Sequence, residues 1–179
     1  MHLIEALSDI CSTTPPHIIA IDGRAGAGKS RLAGELHRTL GRSHTVAVIA
    51  LDDLYDGWDS ALDESLTNNL QKIVSAHQLC KPININIYDW NSATFNTTRT
   101  INSVDVLIIE GVGSGQSVVR ESGATTIWVE IQANEGLARV LERDGDSISP
   151  QMQKWLVQQE EHFNQSQVRE NADFILTAG

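Results

Sequence analysis

The stretch GRAGAGKS, from Gly23 to Ser30, constrains the fold more than any other part of the chain. It satisfies every fixed position of the pattern G-x-x-x-x-G-K-[ST], and it lies between the apolar run HIIAID and a helical segment. Glycines let the backbone curl so that successive N–H groups point at one anion, and the positive end of the next helix adds to their field. The pattern predicts a phosphate-binding loop, or P-loop, between a buried strand and a helix.

Apolar runs and helical segments alternate along the rest of the chain. The predicted strands are HIIAID, TVAVIALD, VDVLIIEG, TTIWVEIQ and ADFILTAG, and segment 83–89 is expected to be a further strand or an extended edge. Helical spacing of apolar residues is found near 3–11, 30–40, 62–74, 135–143 and 150–168. This alternation predicts an α/β fold, namely a P-loop NTPase three-layer α/β/α sandwich in which one domain spans residues 1–179 around a mostly parallel five-stranded sheet.

Composition narrows the choice of partners. The formal net charge of −10 argues against a nucleic-acid partner, because such affinity depends largely on lysine and arginine. No run approaches the ~20 apolar residues of a membrane helix, and MHLIEALSDI does not resemble a signal peptide. The two cysteines indicate no disulfide framework. A cytoplasmic protein without a membrane or nucleic-acid partner is expected, and a homo-oligomer is left open.

The loop predicts the mode of nucleotide binding. Lys29 is expected to reach the β- and γ-phosphates and to act in catalysis, and the Ser30 hydroxyl is expected to bind Mg²⁺. The chain has no N-K-x-D motif for reading guanine, so ATP is the expected nucleotide. The residues predicted to bind ATP from this region are Gly23, Arg24, Ala25, Gly26, Ala27, Gly28, Lys29, Ser30 and Arg31.

Acidic and aromatic residues follow the second predicted strand, in LDDLYDGWDS. Asp52 is expected to orient an acceptor hydroxyl and to accept its proton if this strand lies near the P-loop. Asp53, Tyr55 and Trp58 are expected to contribute to the acceptor pocket, and the alternative for the two aromatic residues is a packing role. The alternative for the doublet is a solvated turn or a helix cap, although Asp59 is a more natural cap for the next helix, as is Ser60.

Two further positions complete the predicted site. Glu110 ends VDVLIIEG and is expected to share the metal ion with Ser30. Arg139 and Arg143 lie four residues apart on one helix face and are expected to approach the phosphates from a short helical lid over about residues 139–155. Arg139 would bind ATP and Arg143 would act in catalysis. The alternative is a solvated face paired with Glu135 or Glu142.

These motifs together resemble the uridine kinase and phosphoribulokinase-like branch of P-loop kinases. The motifs occur in the family's order between about Ile18 and Thr177, and they are IDGRAGAGKS, LDDLY, IYDW, LIIEG and ARVLERD. The resemblance implies that Asp52 is the general base and that Tyr88, Asp89 and Trp90 contact the acceptor. The stretch NSATFN after IYDW differs from the polar stretch that the family has there, and RDGDSISPQ makes a shorter lid.

The residues and the resemblance together predict an enzyme, an ATP- and Mg²⁺-dependent kinase that phosphorylates a hydroxyl of a small molecule. A uridine-like nucleoside is the favoured acceptor. Two alternatives remain open at this stage. One is a kinase for another small polyol or a vitamin precursor, and the other is a slow ATPase that acts as a switch or binding module through a protein partner.

Overall fold

The computed structural model describes residues 3–177, so the last two residues of the predicted strand ADFILTAG lie outside it. The strands are β1 (His17–Gly23), β2 (Val46–Ala50), β3 (Ile83–Asp89), β4 (Thr94–Ile101), β5 (Val106–Glu110), β6 (Thr125–Glu130) and β7 (Phe174–Thr177). The helices are α1 (Leu3–Cys11), α2 (Lys29–Leu40), α3 (Glu64–Gln78), α4 (Ser117–Arg120), α5 (Ala133–Asp144) and α6 (Ser149–Ser166). Short 3₁₀ turns occupy Leu51–Asp53 and Asp146–Ile148.

Five strands form the central sheet in the order β2-β5-β1-β6-β7, and each neighbouring pair is parallel. The predicted P-loop NTPase architecture with its five-stranded parallel sheet is therefore confirmed. Strand β5 lies between β1 and β2. The carboxyl end of β5 is consequently flanked by the P-loop on one side and by the 51–53 turn on the other.

Strands β3 and β4 form a separate antiparallel hairpin. The expected strand over 83–89 is present, but its partner β4 was not predicted. In β4 every residue except Ile101 is exposed, because neither face of this strand is covered. Its sequence TFNTTRTI therefore has none of the apolar alternation by which a strand is recognised.

The core lies on both faces of the central sheet. Ile18 and Ala20 of β1 face one apolar cluster, which contains α3, α6 and the hairpin, whereas Ile19 and Ile21 face a second cluster with α1 and α2. Strands covered on both faces are apolar at nearly every position, which explains why these runs were recognisable in the sequence.

Helix α3 begins two to four residues later than expected. Its N-cap is the Asp63 side chain, which accepts a hydrogen bond from the Ser65 N–H. The expectation that Asp59 or Ser60 would cap this helix was therefore wrong.

Aspartate side chains also join strands at the amino edge of the sheet. Asp105, just before β5, accepts hydrogen bonds from the N–H and Oγ1 of Thr45 at 2.7 and 2.8 Å. Asp173, just before β7, accepts the same pair of hydrogen bonds from Thr126. These contacts lie at the edge opposite the P-loop, so their role is to hold strand ends together.

Candidate active site

The P-loop connects the carboxyl end of β1 to the start of α2. Gly26 and Gly28 adopt left-handed backbone conformations, with φ of 78° and 94°. At Gly26 a Cβ atom would lie only 2.2 Å from the main-chain oxygen of Gly136 in α5. Gly26 is therefore required both for the curl of the loop and for the close packing of the loop against α5.

Lys29 is the first residue of α2 and is only 9% exposed. Its ammonium donates hydrogen bonds to the main-chain oxygens of Gly23 and Arg24, at 2.8 and 2.9 Å. Burial lowers the pKa of Lys29, while Asp22, Glu110 and Asp52 act in the opposite direction. Lys29 thus places a positive charge on the inner side of the loop, where the carboxylates around it favour the protonated form.

Ser30 and Glu110 meet at the carboxyl ends of β1 and β5. The Ser30 hydroxyl donates a hydrogen bond to Glu110 Oε1 at 2.9 Å, and Glu110 is 7% exposed. Burial raises the pKa of Glu110, against the lowering effects of the Ser30 hydrogen bond and Lys29. Within residues 3–177 no group of three or more His, Cys, Asp or Glu side chains could enclose a metal ion. Two oxygen donors nevertheless fit Mg²⁺, which takes few protein ligands and completes its shell with water and phosphate.

Asp52 lies in the 51–53 turn and lines the same cleft as Lys29 and Ser30. Protein atoms surround its carboxylate and raise its pKa by desolvation, and Lys29 and Arg143 partly oppose this rise. The side chain remains accessible to water from the open cleft. The neighbouring Asp53 is half-buried and does not line the cleft. Only the first carboxylate of the doublet faces the phosphate loop.

Indole and phenol rings form an aromatic wall of the cleft. The Trp58 ring lies 5.3 Å from that of Trp90 and 6.3 Å from that of Trp155, and Tyr55 lies 5.4 Å from Trp155. All four rings line the cleft, although the Tyr55 hydroxyl is already engaged because it donates to the Val112 oxygen. Trp155 lies in the segment 150–168 that the sequence predicts to be helical, and nothing in the sequence indicated that α6 would bring it to this wall.

Tyr88 and Asp89 lie outside the cleft lining, unlike their neighbour Trp90. Tyr88 is buried, with its ring 5.1 Å from that of Trp90. The Asp89 carboxylate accepts hydrogen bonds from the Asn91 N–H, the Ser92 hydroxyl and the Asn96 amide at 2.8–2.9 Å, and these bonds lower its pKa. Asp89 therefore organises the hairpin turn beside Trp90.

The two lid arginines line the cleft from α5. Arg139 is paired with Glu135 at 2.7 Å, which is one of the two ion pairs considered as an alternative from the sequence. Arg143 makes two hydrogen bonds to Asp144, at 2.6 and 2.7 Å, which raise its pKa. The predicted lid over 139–155 corresponds to the end of α5, the 146–148 turn and the start of α6.

The other residues predicted to bind ATP divide into two groups. Ala25 and Arg31 line the cleft with Gly26 and Gly28, whereas Gly23, Arg24 and Ala27 do not. The Arg24 guanidinium instead pairs with Glu160 at 2.7 Å and lies 3.5 Å from Glu130.

Gln159 of α6 was missed as a residue that supports the loop. It is fully buried, and its Oε1 accepts a hydrogen bond from the Ala25 N–H at 3.2 Å. The sequence signal for its burial was its position four residues after Trp155, which places both residues on one face of α6.

Comparisons with known proteins find relatives that match most of the chain. No protein-family model matches the chain. The uridine kinase of Mycoplasma genitalium is 27% identical over 89% of this chain and 84% of its own. The uridine kinase of Lactobacillus johnsonii is 25% identical over 92% of this chain and 87% of its own. A possible uridine kinase from Bacillus stearothermophilus superposes with a TM-score of 0.69 at 16% identity, covering 98% of this chain and 100% of its own.

These similarities extend over nearly all of the chain rather than over the P-loop alone. The resemblance to uridine kinase-like P-loop kinases is thereby confirmed, and so is the fold. None of the helices in the described part, residues 3–177, is both long and apolar enough to cross a membrane.

Proposed function

We propose that this uridine kinase-like protein is an ATP-dependent kinase that phosphorylates a hydroxyl of a small neutral molecule, and that a uridine-like nucleoside is the preferred acceptor. One observation carries the proposal: Asp52, in the turn after β2, and Lys29, at the start of α2 after the P-loop, line the same cleft. A kinase that phosphorylates a neutral hydroxyl benefits from this pairing of a nucleotide cradle with a carboxylate that can receive the acceptor proton.

Each residue of the cleft then has a role. The loop and Lys29 hold the ATP phosphates. Asp52 orients the acceptor hydroxyl and takes its proton while the hydroxyl oxygen forms a bond to the γ-phosphorus. The bond between that phosphorus and the β–γ bridging oxygen breaks, and ADP leaves. Arg143 stabilises the charge on the phosphoryl group in transfer. Ser30 and Glu110 would hold Mg²⁺, which supplies further neutralisation of phosphate charge when bound.

The lining of the cleft supports a neutral acceptor with a flat ring. The cavity measures about 460 Å³, within the range of small-ligand sites. Its four cations, Lys29, Arg31, Arg139 and Arg143, belong to the loop, α2 and α5. The lining also presents Asp52 and four aromatic rings. The rings favour stacking with a flat acceptor, and the Asp52 carboxylate disfavours an acceptor that already carries phosphate.

ADP release in the presence of nucleosides, sugars and vitamin precursors tests the proposal. We expect one nucleoside to raise ADP release at least tenfold over hydrolysis and to yield a phosphorylated product by mass spectrometry. Asp52→Asn should lose about 10²- to 10⁴-fold in turnover while ATP affinity is largely retained. Asp53→Asn is the matched control, because this neighbouring carboxylate does not line the cleft.

Three results would contradict the proposal or parts of it. Slow hydrolysis that no acceptor stimulates would instead indicate an ATPase switch. Stimulation by a sugar or vitamin precursor alone would retain the kinase and replace the nucleoside. Unchanged ATP affinity in Lys29→Ala, measured by titration calorimetry, would exclude the role assigned to the loop.

A further inference from the structure

Asp22 is a buried carboxylate next to the P-loop that the sequence did not single out. It is the penultimate residue of β1 and is only 1% exposed. Its Oδ1 accepts a hydrogen bond from the Gly23 N–H at 2.7 Å, so the carboxylate is attached to the first residue of the loop. With so little exposure, Asp22 cannot touch a ligand in the cleft and must act through its partners.

The other partners of Asp22 belong to the segment that follows Glu110. The Gly113 N–H donates to Oδ2 at 3.0 Å, and the Gly115 N–H donates to the same oxygen at 2.8 Å. One side chain therefore joins the start of the P-loop to the continuation of β5. Burial raises the pKa of Asp22, and the Gly115 and Gly23 N–H groups oppose the rise, followed by Lys29.

Gly115 is adapted to this contact. A Cβ atom at this position would lie 2.5 Å from Val168 Cγ1 and 3.2 Å from Asp22 Oδ2. Only glycine lets the main chain approach the carboxylate this closely without displacing its neighbours. The contact thus depends on a buried carboxylate in β1 and on a glycine in the segment that approaches it.

The two elements that Asp22 joins carry the two proposed metal ligands. Ser30 is the last residue of the P-loop motif, and Glu110 precedes the Gly113–Gly115 segment. The Ser30 hydroxyl oxygen lies 2.9 Å from Glu110 Oε1. A shift of either element would change the separation of these two oxygens. Mg²⁺ requires nearly ideal octahedral geometry, so its affinity is sensitive to such a shift.

We propose that Asp22 is a positioning residue that holds Glu110 in place relative to Ser30 and thereby sets the Mg²⁺-dependent part of ATP affinity. The inference rests on the proposed function, because it assumes that ATP and Mg²⁺ bind in this cleft. It concerns residues that support the metal ligands, and such residues commonly change metal affinity by about 10- to 100-fold when they are replaced.

The test compares ATP binding with Mg²⁺ and with EDTA by titration calorimetry, in the wild type and in Asp22→Asn. Asparagine has the shape of aspartate, but its NH₂ group cannot accept hydrogen bonds from the glycine amides. We expect the gain in ATP affinity on adding Mg²⁺ to fall about tenfold in the variant, with a smaller change in EDTA. Asp105→Asn is the control, because Asp105 also joins strand ends but lies at the opposite edge of the sheet.

Glu110→Gln distinguishes positioning from general destabilisation. If Asp22 acts through Glu110, Asp22→Asn should change the Mg²⁺ gain much less in the Glu110→Gln background than in the wild type. Equal effects in both backgrounds would overturn the proposal. A wild type that does not bind ATP at all would overturn the proposed function as well, whereas normal binding with an unchanged Mg²⁺ gain in Asp22→Asn would overturn the positioning role alone.

Hydrogen exchange on the wild type provides a test if Asp22→Asn does not fold. The Gly113 and Gly115 amides should exchange more slowly when Mg²⁺ and ATP are both present than with ATP and EDTA. Equal exchange under the two conditions would contradict the coupling between this segment and the metal ligands.

Discussion

The indole N–H of Trp90 donates a hydrogen bond to the main-chain oxygen of Asp52, 3.0 Å away, and so joins the hairpin to the turn that carries the proposed base. Two features stabilise this arrangement. The turn is closed by hydrogen bonds from the Leu54 and Tyr55 N–H groups to the Leu51 oxygen, and Trp90 packs against Trp58. The hairpin therefore contributes to the geometry of the base as well as to the aromatic wall.

Trp90→Phe should release the turn without removing the aromatic wall. The variant loses one hydrogen bond, which contributes about 0.5–1.5 kcal/mol. We expect faster hydrogen exchange at Leu54 and Tyr55, a higher KM for the acceptor and unchanged ATP affinity. Phe95→Leu is the control, since Phe95 packs on Tyr88 in the same hairpin but does not line the cleft. Equal exchange in Trp90→Phe and wild type would refute the link.

Gly136→Ala should disturb the packing of α5 against the P-loop. The new Cβ would lie 2.5 Å from the Ala25 oxygen. We expect a loss of about 1–3 kcal/mol in the free energy of unfolding, as in other overpacked sites, together with weaker ATP binding because the loop must shift. Urea denaturation and calorimetry measure the two effects.

Gly34→Ala is the matched glycine substitution for that experiment. Gly34 is exposed within α2, and a Cβ there would have no neighbour within 4 Å. We expect this variant to be more stable by about 0.5–1 kcal/mol, because alanine favours the helix, with ATP affinity unchanged. Wild-type stability and ATP affinity in Gly136→Ala would show that the loop and α5 are not closely packed in solution.

Asp52→Asn should increase stability at neutral pH while it reduces turnover. Desolvation of the carboxylate by the surrounding protein raises the pKa of Asp52 in the folded state, so the folded protein retains this proton to higher pH than the unfolded chain does. Ionisation therefore costs stability as pH rises from the unfolded pKa, about 3.9, through the raised folded value, and the full cost is present above it.

Thermal unfolding of both proteins across pH 4 to pH 8 measures this effect, since asparagine carries no charge that desolvation would penalise. The Tm of Asp52→Asn should exceed that of the wild type at pH 7, and the difference should shrink as pH falls through the window. A difference in Tm that is constant with pH would mean that the charge of Asp52 is not the cause.

Arg143→Gln should reduce turnover far more than stability. Exposed ion pairs such as Arg143–Asp144 contribute only about 0–1 kcal/mol to the free energy of unfolding. An arginine beside the phosphoryl group in transfer can instead raise kcat by roughly 10³-fold or more. Arg169→Gln is the control, because Arg169 pairs with Glu130 away from the cleft lining. Equal kinetics for the two variants would exclude the role of Arg143.

The sequence by itself determined the P-loop and the class of fold. The loop is contiguous, and glycine stands at the two positions, Gly26 and Gly28, where its backbone is left-handed. The strands of the central sheet are covered on both faces, so each appears in the sequence as a continuous apolar run. Such local signals can be read without knowing how the chain returns on itself.

Only the tertiary structure decided which side chains meet. The strand order places Glu110 between the P-loop and the Asp52 turn, α6 brings Trp155 to the cleft wall, and the Asp22 carboxylate reaches Gly113 and Gly115, about 90 positions along the chain. The same folding leaves Asp89 in the hairpin turn. These contacts join residues distant in sequence, and their geometry depends on the packing of whole elements, which local residue patterns do not encode.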